Sequence, residues 1–157
     1  MIKKDNSKIL YRWRGLSLRR DNTTLHDNKR LNYTFIKHPG SVVIVPLLNK
    51  DTVILLEQYR RPIEKYSLEF PAGGKRKDET WLQAARRELG EETGYGANQF
   101  IQLGKFFPSN SISSEETHVF LARGLVAKNT RRFPEQIKGI KTYKMKLKET
   151  MAKVNLG

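Results

Sequence analysis

The sequence predicts an α/β domain with a mixed β-sheet, preceded by a small antiparallel strand unit. Short segments rich in β-branched and apolar residues recur along the chain, and a segment with clear helical periodicity lies between them. The chain has 157 residues, enough for one substantial hydrophobic core but not for two. We therefore expect a main domain at residues 41–157 and an N-terminal unit at residues 1–40.

The N-terminal unit is predicted to hold two antiparallel strands, residues 9–18 and 31–37, joined by a polar stretch at residues 19–30. A two-stranded unit is marginally stable in water unless it packs against another surface. Ten apolar side chains lie in these strands, too many to remain exposed. We therefore expect the unit to pair with the same unit of a second copy, which gives a homodimer.

The main domain begins with a predicted core hairpin, residues 41–48 and 52–58, around the polar turn at residues 49–51. Residues 66–70 form a short strand that leads into a glycine loop, and a helix follows at residues 80–92. Further strands are expected at residues 99–107 and 116–122, with His118 as a structural side chain in the second. One last strand after Pro134 and a short helix at residues 148–154 complete the prediction.

Three glutamates mark the predicted helix as a metal site. Glu88, Glu91 and Glu92 stand at i, i+3 and i+4, so their carboxylates share one helical face and repel each other. A divalent cation would remove that repulsion. Carboxylate oxygens are hard ligands suited to Mg²⁺, and we expect Mn²⁺ to substitute for it.

The residues around the helix fit the same interpretation. Gly73 and Gly74 permit a positive φ and a close backbone approach to a ligand. Arg87 follows Glu79 by eight residues and precedes Glu91 by four, so it can brace the loop against the helix as a buttress of the catalytic site. The alternative is a solvated, charged helix face that binds no metal.

The composition excludes several classes of protein. Without cysteine there can be no disulfide, thiol catalysis or cysteine zinc site. No segment approaches the about 18 apolar residues of a membrane span, and residues 1–8 carry no apolar signal region, so we expect a cytoplasmic protein without a membrane partner. The formal net charge of +14 attracts anions, which keeps nucleic acid as an alternative partner to a small phosphorylated ligand.

Residues 73–95 resemble the Nudix box at every charged position and at both glycines, although Tyr95 is aromatic where the family prefers an aliphatic residue. The resemblance extends to LYRWRGLSLRRD, HPGSVVIVPL, ILLEQYRRP, LEFPAG and ETHVFLARGL, which are similar to the ADP-ribose pyrophosphatase branch of the Nudix hydrolases. That branch also includes other nucleoside diphosphate sugar pyrophosphatases. The resemblance covers about residues 9–125 and implies a Nudix-type α/β/α sandwich that dimerises through its N-terminal strands, with substrate sites shared between subunits.

The resemblance also implies roles for the site residues. Glu88 and Glu92 would be the principal metal ligands, Glu91 a further ligand or a water-positioning group, and the Ala72 carbonyl a backbone ligand. The late loop would supply the general base, for which Glu135 is the first choice.

Substrate contacts are implied on both sides of the box. The implied set comprises Arg60, Glu69, Trp13, Tyr33 and Glu115. Glu115 or a box glutamate is the next choice for the base. Trp13 and Tyr33 are alternatively core or dimer-interface residues, and Arg60 is alternatively half of a surface ion pair.

The predicted function is Mg²⁺-dependent hydrolysis of the pyrophosphate bond of a nucleoside diphosphate sugar, with ADP-ribose giving AMP and ribose 5-phosphate. Asn110 and Ser111 stand where this branch commonly has proline and glycine, so the substrate is open. The alternatives are an RNA 5′-pyrophosphohydrolase, a dinucleoside polyphosphate hydrolase and a catalytically silent nucleotide-binding module.

Overall fold

The chain divides into two compact units. The structure, a computed structural model, describes residues 3–128 and 139–156. The first unit comprises Met1–Gly40 and Lys105–Thr117, and the second comprises Ser41–Gly104 and His118–Gly157. The segment Lys105–Thr117 is thus grouped with the N-terminal residues, although it lies far from them in the sequence.

The first unit contains a three-stranded antiparallel sheet in the order β1-β2-β3. Its strands are β1 (Lys3–Trp13), β2 (Leu16–Thr24) and β3 (Arg30–Lys37). The prediction of two strands was wrong because Arg14 and Gly15 take φ values of 41° and 87° and form a tight turn inside the first predicted strand. The polar residues after Leu18 then continue as β2 instead of forming a loop, since register and pairing override their weak strand propensity.

The loop segment of the first unit is hydrogen-bonded to β3. The Ile36 amide donates to the Ile112 carbonyl over 2.9 Å, and the Ser114 amide donates to the Ile36 carbonyl over 2.9 Å. The Tyr33 hydroxyl also donates a hydrogen bond to the Ser111 carbonyl. These bonds fix residues 111–114 along the edge of the sheet.

Among its described residues, the second unit holds two sheets and two helices. Its strands are β4 (Ser41–Pro46), β5 (Thr52–Arg60), β6 (Lys65–Glu69), β7 (Ala72–Gly74), β8 (Tyr95–Phe106), β9 (Thr117–Ala127) and β10 (Lys141–Lys146). One sheet has the order β7-β4-β9-β8 and the other β10-β5-β6. The helices are α1 (Trp81–Thr93) and α2 (Leu147–Leu156), and a 3₁₀ turn spans Arg61–Ile63. This mixed architecture confirms the α/β fold class.

The predicted core hairpin forms only at its turn. Leu47 and Val53 make an isolated bridge, after which β4 pairs in one sheet and β5 in the other. Pro46 ends β4 because it has no amide hydrogen for a continued ladder. The two strands therefore separate and line different sheets.

Helix α1 packs against the sheet of β4 and β9. The core formed there consists of Val42, Ile44, Ala84, Ala85, Leu89, Phe120 and Ala122. The small alanines of α1 allow the helix to approach the sheet closely. The polar side of α1 lies beside β7, the edge strand of that sheet. Among the described residues, no helix is long and apolar enough to cross a membrane.

Candidate active site

A capped helix start orients the glutamates of α1. The Gln83 amide donates to Thr80 Oγ1 over 3.2 Å, and the Thr80 amide donates to Gln83 Oε1 over 2.7 Å, which completes a capping box. The helix ends at Gly94, which takes a φ of 74°. Both ends are thus fixed by local sequence.

Gly73 lies directly against the Glu88 carboxylate. A Cβ atom placed on Gly73 would come within 2.1 Å of Glu88 Oε1, whereas one placed on Gly74 would meet no atom within 4 Å. Neither glycine takes the positive φ that the residue type permits, and the close backbone approach occurs at Gly73. The reason for glycine at position 73 is the close approach.

Glu88 and Glu92 are held in an environment that disfavours their charge. Glu88 is only 4% exposed, and burial raises its pKa, although a hydrogen bond from Arg87 opposes the effect. Burial also raises the pKa of Glu92 to about 7, opposed by the Ala72 amide, which donates to Glu92 Oε2 over 2.9 Å. The charge of Glu88 raises the pKa of Glu92 further. These two carboxylates would gain most from a nearby cation.

Arg87 connects the loop to the helix through four partners. Its Nε donates to Glu79 Oε2 over 3.1 Å, and its Nη2 donates to Glu79 Oε1 over 2.7 Å and to the Gly74 carbonyl over 2.9 Å. Its Nη1 donates to Glu88 Oε1 over 2.6 Å and to Glu91 Oε2 over 3.2 Å. The hydrogen bond from Arg87 lowers the pKa of Glu79. These bonds link Glu79 and Gly74 to the glutamates of α1.

The donor set suits a hard divalent cation. Glu88, Glu91 and Glu92 offer carboxylate oxygens on one helix, and the strand containing Ala72 adjoins them through its amide. Within residues 3–128 and 139–156, no three acidic or histidine side chains already stand in a metal-binding arrangement. Arg87 and Arg76 occupy part of the carboxylate oxygens instead, with Arg76 Nη2 3.4 Å from Glu91 Oε1. A cation therefore fits the chemistry of these donors after side-chain rearrangement.

A second charged cluster lies near Glu92. Arg60 donates from Nε to Glu69 Oε1 over 2.9 Å and from Nη2 to Glu69 Oε2, and Gln58 Nε2 donates to Glu69 Oε2 over 3.0 Å. The charges of Arg60 and Glu69 both influence the pKa of Glu92. Sequence reasoning missed Gln58. The signal was its position two residues before Arg60, which puts both side chains on one face of a strand.

Three other predicted site residues, Trp13, Tyr33 and Glu115, belong to the first unit. Trp13 lies 55% exposed at the end of β1 with the Arg14 guanidinium 5.6 Å from its ring centre. Glu115 faces His38, with 3.8 Å between Glu115 Oε1 and His38 Nε2. Tyr33 is 43% exposed. Glu135 lies outside the described residues.

The His118 side chain is buried and packs against an aromatic ring. It is 6% exposed, and its ring stacks on Trp81 with 3.9 Å between ring centres and an angle of 9° between planes. The stack joins β9 to the first turn of α1.

Comparisons with a family model and with known proteins show what this chain is similar to. The family model described as NUDIX domain matches residues 37–154. The chain is 34% identical over 119 residues to the methanol dehydrogenase activator of Bacillus methanolicus, covering 76% of this chain and 64% of that protein. It is 30% identical over 131 residues to an ADP-ribose pyrophosphatase of Bacillus subtilis, covering 83% and 71%. The match thus spans less than two thirds of the first relative's length.

A solved structure described as an ADP compounds hydrolase superposes with a TM-score of 0.84. Its sequence is 25% identical, and the alignment covers 98% of this chain and 83% of that one. The likeness in structure therefore extends over nearly the whole chain, including the N-terminal strands.

Proposed function

Since the chain belongs to the NUDIX domain family, we propose that it is a metal-dependent hydrolase that cleaves the pyrophosphate bond of a nucleoside diphosphate sugar. We propose ADP-ribose as the substrate, with AMP and ribose 5-phosphate as products. The observation that carries the proposal is the arrangement of Glu88 and Glu92 around Gly73 and Ala72, two carboxylates of raised pKa in close contact with the backbone of β7. The pyrophosphatase relative supports the substrate.

Glu88, Glu91, Glu92 and the Ala72 carbonyl would hold Mg²⁺, with Mn²⁺ as a substitute. When bound, the cation neutralises the diphosphate and acidifies the attacking water. Water would add to phosphorus as the bridging P–O bond breaks, the departing phosphate would keep the bond's electron pair, and the proposed general base would take the proton of the water. Arg87 keeps Glu88 in place through Nη1, and the Glu79 carboxylate fixes the other edge of the guanidinium.

Arg60 is the proposed contact to the substrate diphosphate. Glu69 holds its guanidinium from two nitrogens while 43% of the side chain remains exposed. Nη1 of that guanidinium takes no part in these bonds and can donate to phosphate oxygens. The proposed base is Glu135 or, failing that, Glu115.

The test is hydrolysis of a substrate panel by the wild type and by Glu88→Gln and Glu92→Gln. The panel contains ADP-ribose, GDP-mannose, UDP-glucose, dinucleoside polyphosphates and triphosphorylated RNA. We expect one dominant substrate, ADP-ribose, and a loss of turnover in both variants with unchanged circular dichroism. Glu149→Gln, on the exposed side of α2, is the matched control and should keep full activity. Full activity of either site variant would remove the metal-site assignment.

A second candidate function is hydrolysis at RNA 5′ ends, favoured by the net charge of +14. Binding of single-stranded RNA weakens with salt at a log–log slope of about −0.7 per phosphate contacted. A nucleotide sugar would show a much shallower dependence. Turnover of triphosphorylated RNA above that of ADP-ribose would favour this candidate, and no turnover on the whole panel would favour a silent binding module.

We also propose that the protein is a homodimer formed through the N-terminal sheet. Tyr11, Leu18 and Ile36 are cross-strand neighbours on one face of that sheet, and Trp13 continues it. They are 65%, 37%, 38% and 55% exposed. A second copy would cover this apolar half of the face.

A further inference from the structure

The exposed face of the N-terminal sheet changes character along its length. Beyond the apolar half, the cross-strand rows become polar and basic. This polar half consists of Asn6, Lys8, Arg20, Asn22, Thr24, Arg30, Asn32 and Thr34. Lys8, Arg20 and Arg30 are all exposed, and the described side chains of the polar half include no carboxylate and no large apolar group. Asp21 points to the opposite face, where it accepts a hydrogen bond from Ser7.

Two cations face each other across the strands. Lys8 and Arg20 are directly opposed in the β1–β2 register. Like charges in that position destabilise a sheet, and a bound anion removes the penalty. Arg20 Nε lies 3.4 Å from Thr34 Oγ1, which keeps the guanidinium over the sheet surface. The pair therefore presents two cationic side chains with no carboxylate among the described side chains of this half.

A row of amides lies next to the cations. Asn6, Asn22 and Asn32 are aligned across β1, β2 and β3. Each amide carries both donors and an acceptor, the pattern that reads the edges of nucleobases. Arg30 stands one row further on, opposite Thr24. Cations thus lie on both sides of the amide row.

We propose that the polar half of this face binds single-stranded nucleic acid, with Lys8, Arg20 and Arg30 on phosphates and the asparagine row on base edges. The major groove of a duplex admits an α-helix or a two-stranded ribbon, whereas the asparagine row spans three strands, and the splayed bases of a single strand can lie against all three. A second copy would oppose like charges here, and a membrane would need apolar side chains to insert. This proposal is independent of the proposed hydrolase activity.

The test measures binding of the full chain to a short labelled single-stranded RNA by fluorescence anisotropy over a series of salt concentrations. Three phosphate contacts predict a log–log salt slope of about −2. The triple variant Lys8→Gln, Arg20→Gln, Arg30→Gln should bind at least about tenfold more weakly and lose most of that slope. Arg30→Gln alone should reduce the slope by about 0.7, which keeps the test decisive if the triple variant unfolds.

The matched control removes the same charge from the second unit through Lys144→Gln, Lys148→Gln and Lys153→Gln, all at exposed positions. It should leave RNA binding within about twofold of the wild type. An equal loss in the control would overturn the proposal in favour of general charge attraction. Absence of RNA binding by the wild type would overturn it too, as would binding to phosphatidylserine vesicles with the same sensitivity to the triple variant. ADP-ribose hydrolysis and molecular mass should be unchanged in both variants.

Discussion

At the residue scale, Gly73 and Gly74 of β7 differ in the space available for a larger side chain. Gly73→Ala would place a methyl group on the Glu88 carboxylate, while Gly74→Ala would meet open space. We expect Gly73→Ala to lower kcat by about 100-fold, because a displacement of about 1 Å at the site has that effect. Steady-state kinetics should show Gly74→Ala close to the wild type. Equal effects of the two substitutions would contradict this account of the glycine.

Glu92 links stability to pH in the metal-free protein. Its pKa of about 7 in the folded state exceeds the unfolded value of 4.5, so the folded state prefers the protonated form. Its stabilising contribution is therefore present below pH 4.5 and lost as pH rises through 7. The loss is on the order of 3 kcal/mol.

Urea unfolding in EDTA at several pH values measures this effect. The unfolding free energy of the wild type, taken relative to that of Glu92→Gln, should fall as the pH rises from 4.5 to 7 and then level off. Other carboxylates cancel in the comparison. A difference that stays constant with pH would show that the Glu92 carboxyl is not perturbed.

At the element scale, the start of α1 depends on one side chain. Thr80→Ala removes the acceptor for the Gln83 amide and should cost about 1 kcal/mol. Thermal denaturation should show a decrease of about 2–4 °C in Tm. Thr80→Ser retains the hydroxyl and is the control. Equal melting temperatures for Thr80→Ala and Thr80→Ser would mean that the capping box does not stabilise the helix.

At the scale of the whole molecule, the proposed dimer predicts the molecular mass of the protein in solution. Light scattering at micromolar concentration should give twice the chain mass of 18.2 kDa. Tyr11→Ser with Trp13→Ser should reduce it to the single-chain mass, because these substitutions remove the most exposed rings of the apolar half. Met151→Ser changes a side chain of similar exposure on α2 and should leave the mass unchanged. A wild-type monomer would exclude the dimer and the shared substrate site.

The sequence by itself determined the local features of this protein. The interval between Glu88 and Glu92 puts both on one face of any helix, and the apolar residues around them specify that helix. The spacing also placed Arg87 within reach of Glu79 and Glu91, which is where its hydrogen bonds lie. Such features follow from helical geometry alone. They need no knowledge of distant contacts.

Only the tertiary structure decided the pairing of strands and the environment of each charge. The turn at Arg14 and Gly15 and the separation of β4 from β5 depend on which strands find partners, which local propensity does not encode. Gly73 meets Glu88, and Gln58 meets Glu69, across intervals of 15 and 11 residues that no periodicity connects. The raised pKa of Glu92 likewise arises from burial, a property of the folded chain and not of any short segment.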